Sequence, residues 1–166
     1  TAHVAVVGIG GLGHIALQFA RAWGCEVTAI TTNLAKAEQA RGFGAHHVEE
    51  LEALPDLQNR FDLVINTVNH PLDWSAVMAS LRPLGRLHQL GAVLEPIQVG
   101  AFDLIPGRRS ITGSPTSSPA SLLKMVDFCV RHNIRPLVEH LPMDQVNVAI
   151  QRLAQGDVRY RFVLDA

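Results

Sequence analysis

Cysteine is almost missing from this 166-residue chain: Cys25 and Cys129 are the only two, about 100 positions apart and each inside an apolar run. That scarcity excludes a disulfide scaffold and any zinc site built on four cysteines, and the apolar setting is that of reduced thiols packed in a core. Long apolar runs are missing too. None approaches the 18 residues of a membrane span and no secretory signal is visible, so a cytoplasmic setting is expected. Charge of either sign is sparse, at 17% of residues and a formal net charge of -1, which leaves no field to draw in nucleic acid or an anionic membrane.

Several catalytic signatures are also lacking. The eight histidines show neither H-E-x-x-H nor a Cys/His ligand spacing, and His46 and His47, adjacent on an expected strand, would point to opposite faces. They read as surface or packed histidines, and no metal ligands are expected in this chain. Tyr160, the only tyrosine, has Leu164 four residues on, which excludes the Tyr/Lys pair of a short-chain dehydrogenase. There is no G-x-S-x-G, and position 14 holds histidine where a P-loop would need lysine.

What is present stands at the start. In VAVVGIGGLGHIALQFARAWG, Val4 to Val7 read as a buried strand, and Leu12, Ile15, Ala16, Phe19, Ala20 and Trp23 then recur at helical spacing. Between them, Gly8-Ile9-Gly10-Gly11-Leu12-Gly13 fits G-x-G-x-x-G. Gly8 permits a sharp turn out of the strand, Gly10 leaves the backbone open to a ligand, and Gly13 lets the helix approach the sheet. The N–H groups at about Gly11 and Leu12 then face an anion at a helix N-terminus, where a pyrophosphate fits. A glycine turn that serves the fold alone is the alternative.

Strands and helices alternate beyond this point. Expected strands are Glu26 to Thr31, His46 to Val48, Phe61 to Asn66, Arg86 to Leu90 and Arg109 to Gly113, with helices at Ala35 to Arg41 and Asp73 to Leu81. Pro83 and Gly85 stop the second of these helices. The alternation predicts an α/β fold, a doubly wound parallel sheet (Rossmann fold) with helices on both faces and its ligand at the carboxyl ends of the strands. A helix from Ala120 to Arg131 follows, with Leu122, Val126, Cys129 and Val130 on one stripe. After it come an extended piece at Leu137 to His140, a helix carrying Val146, Ala149, Ile150 and Leu153, and a last strand through Tyr160 to Leu164. The length suits one well-buried core.

The second strand decides between coenzymes. An NAD-selective sheet closes it with an Asp or Glu that binds the adenine ribose, but here it ends Thr31-Thr32-Asn33 with Lys36 one turn on. Two hydroxyls, an amide and one positive charge suit a 2′-phosphate. An ion pair of this kind is worth about 1 kcal/mol in water and about 4 in a partly screened site. NADP(H) is therefore expected over NAD, with Lys36 as an ordinary solvated lysine the competing reading.

The segments GIGGLGH (Gly8 to His14), AWGCEVTAITT, FDLVINTVNHPLDW, LRPLGRLHQLGAVLEP, ITGSPTSSPAS, VEHLPM and VRYRFVLDA resemble, in order, the cofactor half of medium-chain zinc-dependent alcohol dehydrogenases. The closest likeness is to the bacterial branch of cinnamyl-alcohol-dehydrogenase-like NADPH-dependent aldehyde reductases. The resemblance implies a pyrophosphate on Gly10, Gly11 and Leu12 and a 2′-phosphate on Thr31, Thr32, Asn33 and Lys36. It places the nicotinamide end against Thr67 and Val68, Gly91 and Ala92, and Gly113 and Ser114. It also implies a second, zinc-holding domain whose ligands this chain lacks, and a homodimer paired through the edge near Arg109 to Thr116.

These readings divide the chain into a dinucleotide-binding domain, residues 1–135, and a tail, residues 136–166, that would complete the catalytic domain of a full-length relative. The expected function is coenzyme binding for an NADPH-linked aldehyde or alcohol oxidoreductase, with the chain a fragment that binds NADP(H) and does not turn substrate over by itself. A stand-alone NAD(P)-sensing module and a fragment of a zinc-free quinone reductase relative are the alternatives.

Overall fold

Val4 to Val7 can be buried on both sides because small and β-branched apolar residues alternate there without a polar break. The computed structural model, which describes all of Thr1–Ala166, places them at the centre of a sheet as β1 (His3–Val7). It is followed by α1 (Gly13–Ala22), β2 (Glu26–Thr31), α2 (Ala37–Gly42), β3 (His47–Glu50), β4 (Phe61–Asn66), α3 (Trp74–Ser80), β5 (Leu81–Gln89), α4 (Ala101–Leu104) and β6 (Ser110–Gly113). These six strands form one parallel sheet in the order β3-β2-β1-β4-β5-β6. The order reverses between β1 and β4, and at such a point an open α/β sheet leaves a crevice for a ligand. The doubly wound Rossmann fold expected from the alternation is the one found.

The two sides of β1 feed two cores. Ala5 and Val7 join Phe61, Val64, Val77, Met78 and Leu81 on the side of α3, while Val4 and Val6 join Leu17 and Ala20 of α1 and Ala40 of α2. Asp73 starts α3 by accepting the Ala76 N–H at 3.0 Å, a cap worth about 1 kcal/mol.

The last third leaves the sheet. Here α5 (Pro119–His132) is capped by Ser118 and closed by Asn133 in a left-handed conformation. It returns to the α1 side, where Phe128 stacks on Phe19 at 5.7 Å. After it β7 (Val138–Pro142), α6 (Val146–Ala154) and β8 (Arg161–Asp165) build a separate two-stranded parallel unit.

Several boundaries and faces differ from expectation. β5 begins at Leu81, paired with Phe61, and is interrupted before Arg86 pairs with Leu63; Leu84 takes φ +66° in the gap, which hides the early start behind Pro83 and Gly85. A 3-10 segment at Leu51–Asp56 and α4, both too short for periodicity to reveal, complete crossovers. On α1 the deepest face is His14, Leu17 and Ala20, whereas Leu12 and Trp23 are exposed. On α5 the inward residues are Phe128 and Cys129, with Val126 and Val130 turned out, so the expected stripe is rotated. Cys25 and Cys129 are free and half-buried at the margin of the core, not within it.

Leu87 and Leu94 give a matched test of this core. Leu87 is fully buried and Leu94 is 93% exposed. Leu87→Ala is expected to lower unfolding stability by about 2–5 kcal/mol, and Leu94→Ala to change it by less than about 0.5 kcal/mol, both read from urea denaturation.

Candidate functional site

The glycine turn is held by contacts that leave no room for side chains on one side and open space on the other. Gly8 sits at φ +87°, where a side chain would be strained, and donates its N–H to the Ile30 carbonyl at 2.9 Å. A Cβ on Gly13 would run into the Gly8 carbonyl, so this glycine is what allows α1 to start so close to β1. A Cβ on Gly10 would meet no protein atom within 4 Å. The N–H groups of Gly11 and Leu12 find no backbone acceptor. Unpaired donors at the N-terminus of a helix, on an open surface, are what an anion binds.

The turn forms one wall of a cleft of about 540 Å³. Its other walls are the ends of β2 and β4 with Gly156 of the tail: Gly8, Gly10, Thr31, Thr32, Asn33, Lys36, Thr67 and Val68 all line it, whereas Gly11, Leu12 and Gly13 stand beyond its rim. At the β2 end, Thr31 is buried and accepts the Asn33 N–H at 3.2 Å, which leaves its hydroxyl proton free. Asn33 uses its side-chain oxygen to accept the Ala35 N–H at 2.9 Å, so only its amide donors remain. Donors therefore predominate here. A carboxylate also stands close by: β3 ends with Glu50 in register with Thr31, although Glu50 is not among the lining residues.

The remaining expected residues serve the loops in different ways. Thr67 places its hydroxyl 2.9 Å from both the Val7 and Gly8 carbonyls, so it holds the glycine turn as well as lining the cleft. Gly91 is buried where a Cβ would strike the Val68 carbonyl, and its N–H is donated to Asn66 at 3.0 Å. Ala92, Gly113 and Ser114 are exposed at the carboxyl ends of β5 and β6, outside the cleft walls. Ser114 instead lines a second, mostly apolar groove between α1, the sheet and α5, with its hydroxyl 3.1 Å from His88 Nε2. Asn66, fully buried and donating to Gln89 at 3.0 Å, ties β4 to β5 and was not expected from the sequence.

No three His, Cys, Asp or Glu side chains converge closely enough to hold a metal ion. The residues present do not fit a zinc centre. No helix is long and apolar enough to cross a membrane.

Residues 11–131 match the family model described as zinc-binding dehydrogenase. The chain is 48% identical to aldehyde reductase AdhA of Synechocystis sp. over 99% of its own length and 50% of that protein's. Cinnamyl alcohol dehydrogenase SbCAD4 of Sorghum bicolor superposes with a TM-score of 0.93 at 36% identity, covering 99% of this chain and 48% of that one. CAD of Helicobacter pylori, solved in complex with NADP(H), superposes with a TM-score of 0.86 at 28% identity over 98% of this chain and 47% of that one. The chain thus spans about half the length of the relatives it matches.

One buried group at the turn links stability to pH. Burial lowers the His14 pKa below the ordinary 6.5; the Gly10 carbonyl opposes the shift and the positive Arg161 nearby adds to it. The folded state then binds fewer protons than the unfolded chain as pH falls through 6.5, so stability is fully present above that value and declines below it. Glu26 behaves separately: the His47 side chain, with His3 nearby, holds its carboxylate below the ordinary 4.5, and its contribution fades only as pH falls through that lower range. Denaturation midpoints measured from pH 8 to 5 should fall below about pH 6.5, and His14→Gln should flatten that part of the profile.

Proposed function

The chain belongs to the zinc-binding dehydrogenase family, and from that premise we propose that it is the coenzyme-binding half of a zinc-dependent, NADPH-linked aldehyde reductase or alcohol dehydrogenase. The observation that carries the reading is the turn itself: an open Gly10, unpaired Gly11 and Leu12 donors and a cleft leading directly to Thr31, Thr32, Asn33 and Lys36. In this reading Gly10, Gly11 and Leu12 hold the pyrophosphate. Gly8 and Gly13 shape the turn, and Thr31, Thr32, Asn33 and Lys36 take the 2′-phosphate through donors and one charge. Residues 1–135 carry all of these groups, and residues 136–166 would complete the catalytic domain of the parent enzyme while packing against the turn.

The coenzyme, when bound, supplies a hydride for the aldehyde carbon. This chain's part is to orient it. Val68, Gly91, Ala92, Gly113 and Ser114, at the carboxyl ends of β4, β5 and β6, lie on the side to which a nicotinamide ring would extend from the turn. A group that polarises the aldehyde must come from elsewhere in the parent, because no metal-binding cluster exists here. The outer edge of β6 is unpaired, and it is the proposed line of contact between two copies.

Calorimetric titration of the chain with NADPH and with NADH tests the coenzyme assignment. NADPH is expected to bind at least several-fold tighter, and Lys36→Ala to weaken NADPH by roughly fivefold to a few hundredfold while leaving NADH unchanged, the range of a partly screened ion pair. Equal affinities for the two coenzymes would remove the assignment of Thr31 to Lys36 as a 2′-phosphate reader.

A further inference from the structure

The tail and the glycine turn are joined through one side chain. His14, the second residue of α1, is completely buried. Its Nε2 lies 3.1 Å from the Leu137 backbone nitrogen, which can only donate, so Nε2 must accept. The proton of the neutral ring is then on Nδ1, 2.9 Å from the Gly10 carbonyl, which can only accept. Each nitrogen is satisfied in one tautomer and in no other. The same carbonyl also receives the His14 backbone N–H at 3.1 Å, so two bonds from one residue set the direction of the Gly10 peptide.

The ring is fixed from its faces as well. Tyr160 packs on it at 4.6 Å and Phe43 meets it edge-on at 5.3 Å. Tyr160 is in turn anchored by donating its hydroxyl to Gln39 at 2.8 Å, and Arg161 donates to the Gly11 carbonyl at 3.1 Å. One turn along α1, Gln18 exchanges hydrogen bonds with the Arg135 backbone in both directions, at 3.0 and 3.1 Å. The carbonyls of Gly10 and Gly11 are thus both held from the tail side. A peptide plane whose carbonyl is held points its N–H the opposite way, and the N–H groups of Gly11 and Leu12 belong to the peptides of these two carbonyls.

Building on the coenzyme reading above, we infer that His14 is a positioning residue, a neutral imidazole that pins the glycine turn to Leu137 and thereby aims the Gly11 N–H at the pyrophosphate. Residues 136–166 then form part of the coenzyme site, although they lie outside the six-stranded sheet. The pin acts on the pyrophosphate end only. The Thr31 to Lys36 end of the cleft is held by its own local bonds from Asn33.

That asymmetry defines the test. The intact chain, His14→Ala and His14→Gln are titrated with NADPH and with adenosine 2′-monophosphate, which has the 2′-phosphate but no pyrophosphate. Wild type is expected to bind both. His14→Ala should weaken NADPH about tenfold, as for the loss of a buried hydrogen bond, with the monophosphate unchanged. His14→Gln, whose amide can accept from Leu137 and donate to Gly10, should recover part of the loss. Unchanged NADPH affinity in His14→Ala, or equal weakening of both ligands, would overturn the inference. Binding of neither ligand by wild type would instead overturn the coenzyme reading on which it rests. The wild-type imidazole ¹⁵N spectrum needs no variant: a neutral Nδ1–H tautomer is expected, and a neutral Nε2–H tautomer would contradict the pin.

Discussion

Everything in this chain that can meet a ligand depends on how closely α1 begins behind β1. The Gly13 backbone rests on the Gly8 carbonyl, and the Thr67 hydroxyl reaches across from β4 to the carbonyls of Val7 and Gly8. With the turn compressed in this way, its outer side carries Gly10 with nothing above it and two amide donors without partners. A looser turn would let those donors find protein acceptors, and the attraction for an anion would be lost. Steric exclusion on the inner face and vacancy on the outer face have the same cause.

The strand order places that turn beside the ends of β2 and β4. A ligand that puts its anionic middle on the turn has hydroxyl, amide and lysine donors on the β2 side of the cleft and Thr67 and Val68 on the β4 side. The CAD of Helicobacter pylori, which superposes on this chain, was solved in complex with NADP(H).

The central architecture was legible in the sequence because period-2 and period-3.6 patterns are local. β1, β2 and β4 lie at or within one residue of their expected limits, and the parallel order follows from the alternation. The glycine spacing and the carboxylate-free end of β2 were likewise local signals. Less local features were not readable. His14 reads from sequence as a surface or packed histidine, but what it packs against does not show, since its partner Leu137 is 123 positions away. Tyr160 gave no hint that it would bury against the α1 side of the sheet, held by Gln39 at a separation of 121. The early start of β5 was hidden because Leu84 adopts a left-handed conformation that a leucine pattern does not advertise. The inward face of α1 was misjudged for a related reason: a fully buried imidazole breaks an apolar stripe drawn from side-chain type alone.

On the proposed reading, the Gly8 to Gly13 turn is a pyrophosphate cradle and not a glycine turn serving the fold alone. Backbone ¹H–¹⁵N spectra recorded while NADPH is added test it most directly, because they report on the donors themselves. The account predicts that the amides of Gly10, Gly11 and Leu12 shift most, with those of Thr31 to Lys36 following at the same ligand concentrations. Shifts confined to the apolar groove around Phe19 and Phe128, or none at saturating NADPH, would contradict it.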